Sequence, residues 1–315
     1  MENIENKEPI MNKYNNYVDL FTSFYSDEDV KINEKLSQYV NFKVGGPADI
    51  LVTPRNKEQI IRTVNICKEN NIPFYVIGNG SNLLVKDGGF RGVVMSLTKV
   101  NNITVDGERI EAECGAMLKQ VSDKAVENSL TGFEFACGIP GTVGGAVFMN
   151  AGAYNGEMSQ VIESADVINE NGEIITLNNE ELDLGYRSSI VMKKGYVVLS
   201  AVFKLEKGTV KSIKDLVADL TNKRESKQPL EYPSAGSTFK RPEGYFAGKL
   251  IQDAGLKGYS IGGAAISEKH SGFVINKGGA TAKDILDLIH HIQDEVKKQF
   301  GVELHTEVRI IGEDL

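Results

Sequence analysis

Two stretches of this chain concentrate residue types that can bring bare backbone against a ligand. The first, Val76-Ile77-Gly78-Asn79-Gly80-Ser81-Asn82-Leu83-Leu84-Val85, begins like a dinucleotide fingerprint. It departs where a third glycine should open a helix onto a pyrophosphate: Leu83 stands there, and Leu83-Leu84-Val85 reads as a strand. Successive small residues can still turn their N–H groups toward an anion as a nest, with Ser81 and Asn82 adding side-chain donors. Taken alone, an ordinary turn explains this run equally well. The second run, Gly138-Ile139-Pro140-Gly141-Thr142-Val143-Gly144-Gly145-Ala146-Val147-Phe148-Met149-Asn150-Ala151-Gly152-Ala153-Tyr154, holds five glycines and three alanines in seventeen residues. Tight helix packing or a turn accounts for any one of those glycines, but the whole stretch suits backbone laid against a flat ring.

Polar candidates lie further along. Arg187, in Gly185-Tyr186-Arg187-Ser188-Ser189, offers a planar guanidinium that can grip a carboxylate in bidentate fashion, although a surface salt bridge is the commoner use of such a residue. Glu307 falls in Val302-Glu303-Leu304-His305-Thr306-Glu307-Val308-Arg309, read here as part of a closing strand, Val302 to Ile311. Alternation puts it on the face of Glu303, His305 and Arg309, and by itself it reads as a solvated carboxylate or the partner of Arg309. Ser237, in Ser234-Ala235-Gly236-Ser237, is by itself a turn serine. Lys227, Lys240 and Arg241 gather round it in an acidic chain, as phosphate contacts or as a solvated basic face.

Cys67, Cys114 and Cys137 have no metal or disulfide spacing and read as small buried residues. The adjacent His290 and His291 point apart on a helix, and with His270 and His305 they make no ligand set, so no metal is expected.

The elements that position these residues are mixed. An apolar strand from Ala48 to Val52, a helix with Ile60, Ile61, Val64 and Cys67 on one face, and a strand from Phe74 to Ile77 make a β-α-β opening. Hairpins are expected at Asp106-Gly107 and at Glu170 to Glu173, with a helix from about Met117 to Leu130 between them. The amphipathic segment 210–224 leads to a break at Pro229 and Pro233. A long helix runs from Thr281 to Phe300, with Thr281 and Asp284 as a capping box and Gly301 at its end. Helices and hairpins in this order predict an α+β protein of about three parts: 31–97, 98–208 and 209–315. Residues 1–30, polar with a short apolar patch from Tyr17 to Tyr25, read as a weakly ordered extension.

A length of 315 residues with 41% apolar composition can bury a large core. The net charge of −8 repels polyanions, which argues against nucleic acid or an anionic membrane as partner. Neither a leader-like N-terminus nor an apolar stretch long enough to span a bilayer is seen, so a cytoplasmic protein is expected.

The chain resembles the UDP-N-acetylenolpyruvoylglucosamine reductase (UDP-N-acetylmuramate dehydrogenase) family from about Phe42 to Ile311. The resemblance rests on Phe42-Lys43-Val44-Gly45-Gly46-Pro47-Ala48, on Gly78 to Leu83, on the 138–154 run and on Gly185-Tyr186-Arg187. It also rests on Ser234-Ala235-Gly236-Ser237-Thr238-Phe239-Lys240 and on Leu256-Lys257-Gly258 through Ile261-Gly262-Gly263-Ala264. It implies an FAD-binding fold of the vanillyl-alcohol-oxidase type, two α+β subdomains holding FAD and a C-terminal α+β domain covering the substrate. It also implies NADPH as reductant and a UDP-sugar carrying an enolpyruvyl group as substrate; a monomer is expected, although the sequence itself does not set the oligomeric state. By the same resemblance, FAD contacts fall on Gly78, Asn79, Gly80, Ser81, Asn82 and Leu83 in the first run. In the second they fall on Gly138, Ile139, Pro140, Gly141, Thr142, Gly144, Gly145, Ala151, Gly152 and Ala153. Neither run contains a histidine, so the FAD is expected to be non-covalent. Arg187 and Glu307 become the stabilisers of a substrate carboxylate, Ser237 the proton donor, and Tyr186, Lys227 and Arg241 substrate contacts, Arg241 on the weakest match. The sequence departs from the family at Asn155, where a glycine is usual. An oxygen-using oxidase of the same fold and a non-catalytic flavin or UDP-sugar binder are the competing readings, and the Arg187, Ser237, Glu307 set speaks against both.

Overall fold

The computed structural model describes residues 14–315. Its first sheet has four strands in the order Val30–Lys35, Pro47–Val52, Phe90–Ser96, Phe74–Ile77, the first pairing antiparallel and the others parallel. Pro47–Val52 is buried from Ala48 onward, as a strand covered on both faces must be. The crossover helix Lys57–Glu69 starts where the Asn56 side chain accepts from Gln59 N at 2.9 Å. It buries Ile60, Val64 and Cys67 against the sheet.

The second sheet is antiparallel, in the order Ile174–Asn178, Ile162–Ile168, Val197–Lys204, Arg109–Glu113, Ile103–Asp106. Both expected hairpins are present, turning at Gly107 and Gly172 with positive φ. One hydrophobic core, from Val52 and Ile60 to Ile110 and Phe203, runs through both sheets, so the two sheets pack as one body. The 138–154 run lies on it and contains a short helix, Val143–Met149.

The C-terminal part packs the helices Ala247–Asp253 and Ala282–Phe300 on a small sheet of Ser260–Ile261, Ala264–Ile266 and Val274–Asn276. The Thr281–Asp284 capping box is present, and Gly301 ends the helix in the left-handed region. This core also takes in Phe42, Val44 and Leu84 from the first unit. Asp87 accepts from the N–H groups of Ala282 and Lys283, each at 2.9 Å.

Two expectations are corrected. Residues 14–30 are not weakly ordered: Phe21 and Tyr25 are buried, Tyr25 Oη lies 2.8 Å from Thr63 Oγ1, and buried Asp29 is bound by Arg55 and Lys99. The apolar patch is short but meets the helix Lys57–Glu69 through Phe24, whose carbonyl accepts from Gln59 Nε2 at 2.9 Å, and through Tyr25; residues 1–13 of the expected extension lie outside the described residues. The closing segment is not one strand from Val302 to Ile311, since only Arg309–Ile311 is, paired parallel with Leu83–Val85. Leu304 and Val308 are buried and Glu303, His305 and Arg309 exposed, but Glu307, expected on that exposed face, is shielded. The segment before Arg309 makes only an isolated bridge, Thr306 opposite Phe239, with Lys240 N donating to His305 O and Thr238 O accepting from Glu307 N and Val308 N, so no continuous ladder forms.

Candidate functional site

A cavity of about 1000 Å³ opens between the core that runs through the two larger sheets and the C-terminal segments around Ser237 and Glu307. Both glycine-rich runs line it, and so do Arg187, Ser237 and Glu307. All sixteen expected FAD-contact residues are on its wall.

The two runs touch each other. A Cβ on Gly78 would lie 2.2 Å from Thr142 Oγ1, and one on Gly80, at φ 60°, would lie 2.2 Å from Tyr39 O. Only glycine allows that approach, which leaves two stretches of bare backbone facing one space. Asn79 Nδ2 donates to Pro140 O at 2.8 Å and fixes their spacing. This cradle, with its turn of small residues and free N–H groups, fits the pyrophosphate and flat ring of a flavin nucleotide. The departure at Asn155 is harmless to the backbone: its φ is 66°, a left-handed value that asparagine tolerates better than most residues.

Arg187 and Glu307 form an ion pair, Nε donating to Oε1 at 2.7 Å, with side-chain exposures of 18% and 14%. Glu307 therefore pairs with Arg187 and not with Arg309 two residues on, which lies over the Phe148 ring. Arg187 Nη2 also reaches Gly152 O at 3.4 Å, so the guanidinium is tied to the second run. Its backbone is left-handed, φ 52°.

Glu307 is held from two sides. Its N–H donates to Thr238 O at 2.9 Å, which places it beside the Ser237 loop, and its carbonyl accepts from Asn82 Nδ2 at 3.1 Å. Asn82 O in turn accepts from Arg309 N at 3.1 Å. Ser237 follows Gly236, at φ 75°, and precedes Thr238, whose Oγ1 accepts from Val274 N at 3.0 Å. Thr238 N also donates to Gly272 O at 2.9 Å, so a buried threonine bonded at both ends anchors the loop on which exposed Ser237 joins the cavity wall.

Tyr186, Lys227 and Arg241 are not on the wall. Arg241 N donates to Tyr186 Oη at 3.0 Å, and the Arg241 guanidinium lies 3.9 Å from the Phe246 ring centre. They form a surface cluster beside Arg187, whose guanidinium is 5.1 Å from the Tyr186 ring centre. Lys227 is exposed at the end of the helix Val210–Lys227.

The sequence reading missed Arg224, one turn earlier on that helix and on the wall. Burial pulls its pKa below the ordinary arginine value. Its Nε donates to Gln228 Oε1 at 3.1 Å, and it makes no ion pair among the described residues. A half-buried cation without a carboxylate suits an anionic ligand. The signal was there: Arg224 lies in the basic last turn of a helix that stops just before Pro229. In total the wall carries Lys43, Arg187, Arg224 and Arg309 against Glu231 and Glu307, a local positive excess in a chain of net charge −8.

Cys67 and Cys114 are buried, and burial pushes both thiols up to about 12. Cys137 is only half-buried.

Comparison with known proteins agrees with this layout. An FAD binding domain profile matches residues 48–178, and the profile of the UDP-N-acetylenolpyruvoylglucosamine reductase C-terminal domain matches residues 228–311. Curated proteins named UDP-N-acetylenolpyruvoylglucosamine reductase are similar over nearly the whole chain. The one from Clostridium perfringens (strain SM101 / Type A) is 66% identical over 96% of this chain and 100% of its own length, and the one from Clostridium beijerinckii is 63% identical over the same shares. The crystal structure of UDP-N-acetylenolpyruvylglucosamine reductase from Thermus caldophilus superposes with a TM-score of 0.77 at 35% identity, covering 89% of this chain and 98% of that one. No helix among the described residues is long and apolar enough to cross a membrane. With an FAD-binding domain, the matching C-terminal domain and relatives this similar along their full length, the chain belongs to the UDP-N-acetylenolpyruvoylglucosamine reductase family.

Proposed function

We propose that this protein reduces UDP-N-acetylglucosamine enolpyruvate to UDP-N-acetylmuramate, with NADPH as reductant and non-covalent FAD as carrier, in peptidoglycan precursor synthesis. One observation carries the reading: the shielded Arg187–Glu307 ion pair and the Ser237 hydroxyl share a cavity wall with two glycine-rich cradles. Family membership supports it.

When bound, FAD supplies a hydride, taken from NADPH, to the methylene carbon of the enolpyruvyl ether. The remaining work falls to this chain's side chains. As the carbon–carbon double bond is reduced, its electron pair moves toward the adjacent carbon and the substrate carboxylate, giving an enolate. Arg187 meets that charge. Its Nε is committed to Glu307, so the Nη edge is what a carboxylate encounters, and a cation fixed before the reaction needs no reorganisation when charge develops. Glu307 holds the guanidinium in that orientation. Ser237 gives its Oγ proton to the enolate carbon, completing the C–H bond, and water restores the hydroxyl proton. A serine is a weak acid, but an enolate carbon is basic enough to take its proton when the hydroxyl is held in line. Lys43 and Arg224 supply positive charge for the phosphates, with Tyr186, Lys227 and Arg241 at the surface for the outer part of the UDP-sugar.

The test is the visible spectrum of the purified protein followed by NADPH consumption with and without the enolpyruvyl UDP-sugar. The expected result is a flavin spectrum and NADPH oxidation dependent on the sugar. A colourless protein that takes up no FAD, or a flavoprotein that oxidises an alcohol at the expense of oxygen and ignores the sugar, would overturn the reading.

A further inference from the structure

The turn that carries Arg187 is held by a side chain from the second glycine-rich run. Gly185 and Ser188 exchange backbone hydrogen bonds at 3.0 and 3.1 Å around Arg187, whose left-handed φ of 52° is unfavourable for a residue with a Cβ and persists only where its surroundings hold it. The Gly185 carbonyl accepts a further bond, at 3.1 Å, from Asn150 Nδ2. Asn150 is fully buried and ends the helix Val143–Met149 at φ 43° and ψ 59°. Its Oδ1 accepts from Ser159 N at 3.0 Å, which leaves the carboxamide a single orientation. Ser189 Oγ reaches the same helix end, donating to Phe148 O at 2.7 Å.

We propose that Asn150 is a positioning residue: it transmits the placement of the second glycine-rich segment to the Arg187 guanidinium, and thereby sets the Arg187–Glu307 pair in register with the cofactor cradle. Asn150 does not line the cavity, so it acts through Gly185 and not on a ligand. The inference rests on the functional reading above, since it names what sets the geometry of that same pair.

Two substitutions separate this role from that of a plain helix cap. Asn150→Gly keeps the left-handed backbone and deletes the carboxamide. Asn150→Asp tolerates the same backbone and keeps the acceptor for Ser159 N, but turns an oxygen, in place of a donor, toward Gly185 O. Each holoenzyme is checked for folding by thermal unfolding and by its oxidised flavin spectrum, then followed in two half-reactions, flavin reduction by NADPH and reoxidation by the enolpyruvyl UDP-sugar. Both variants are expected to retain the flavin spectrum and the rate of reduction, and to lose about tenfold in reoxidation at saturating sugar, with Asn150→Asp no better than Asn150→Gly. Combined with Glu307→Gln, Asn150→Gly is expected to add little further loss, because both act on one pair. Wild-type reoxidation in either variant, equal losses in both half-reactions, or a fully additive double variant would overturn the assignment. A wild-type holoenzyme that the sugar does not reoxidise would overturn the functional reading instead, before any variant is compared.

Discussion

Replacing Glu307 by glutamine removes one charge from the Arg187 pair while keeping its shape. The Arg187 Nε–Glu307 Oε1 bond is 2.7 Å long, and the two side chains are only 18% and 14% exposed, so solvent cannot replace what is lost. A hydrogen bond to a charged group contributes about 1.5–3 kcal/mol and a neutral one about 0.5–1.5 kcal/mol; the difference sets the stability cost at about 1–2 kcal/mol. For a protein of this size that lowers Tm by about 1.5–3 °C, and because the pair is shielded the shift should persist at high salt. Catalytically, a guanidinium no longer fixed in place loses its advantage as charge develops, and removal of one such preorganised contact typically costs about a hundredfold. The assays are thermal unfolding at low and high salt and single-turnover reoxidation of the reduced flavin by the enolpyruvyl UDP-sugar. An unchanged Tm with wild-type reoxidation would refute the reasoning, and so would a loss confined to flavin reduction by NADPH.

Gly78→Ala would drive a Cβ to 2.2 Å from Thr142 Oγ1, so purified protein should carry much less flavin per chain by its visible absorbance. Arg224→Ala removes from the wall a half-buried cation that has no ion pair among the described residues and should weaken the affinity for a phosphate-bearing ligand by about 10–100-fold, measured by titration with FAD and with the UDP-sugar separately. For Asp29, burial would raise the carboxyl, but bonds from Arg55, Lys99 and Ser26 outweigh it and hold the pKa at about 2, against an ordinary 3.8. A depressed carboxylate pKa stabilises the fold above the unfolded value and loses that contribution as pH falls through the folded one. Asp29→Asn should therefore lower stability at neutral pH and flatten the decline of Tm between about pH 4 and pH 2.

What could be read in the sequence was local. The capping box at Thr281 and Asp284, Gly301, and the turns at Gly107 and Gly172 each depend on a few neighbouring residues and appear where expected. The two glycine runs were legible because their density has few structural explanations, although nothing local reveals that Gly78 packs on Thr142. The pairing of Arg309–Ile311 with Leu83–Val85, and of Arg187 with Glu307, joins distant parts of the chain. Alternation identified the buried residues of 302–308 but could not show that their backbone partners, Thr238 and Lys240, come from another part of the domain. Arg224 was passed over for Lys227 because helical spacing does not reveal which turn of an amphipathic helix abuts a cavity. Residues 14–30 looked too polar to order, yet Phe21, Tyr25 and one buried carboxylate suffice to dock them.

The most direct measurement is the pair of half-reactions in Ser237→Ala. The proposed proton donor acts after the flavin has been reduced, so reduction by NADPH should run at the wild-type rate while reoxidation by the enolpyruvyl UDP-sugar slows by about 10²–10⁴-fold. Equal slowing of both half-reactions, or reoxidation as fast as in the wild type, would contradict the role given to Ser237.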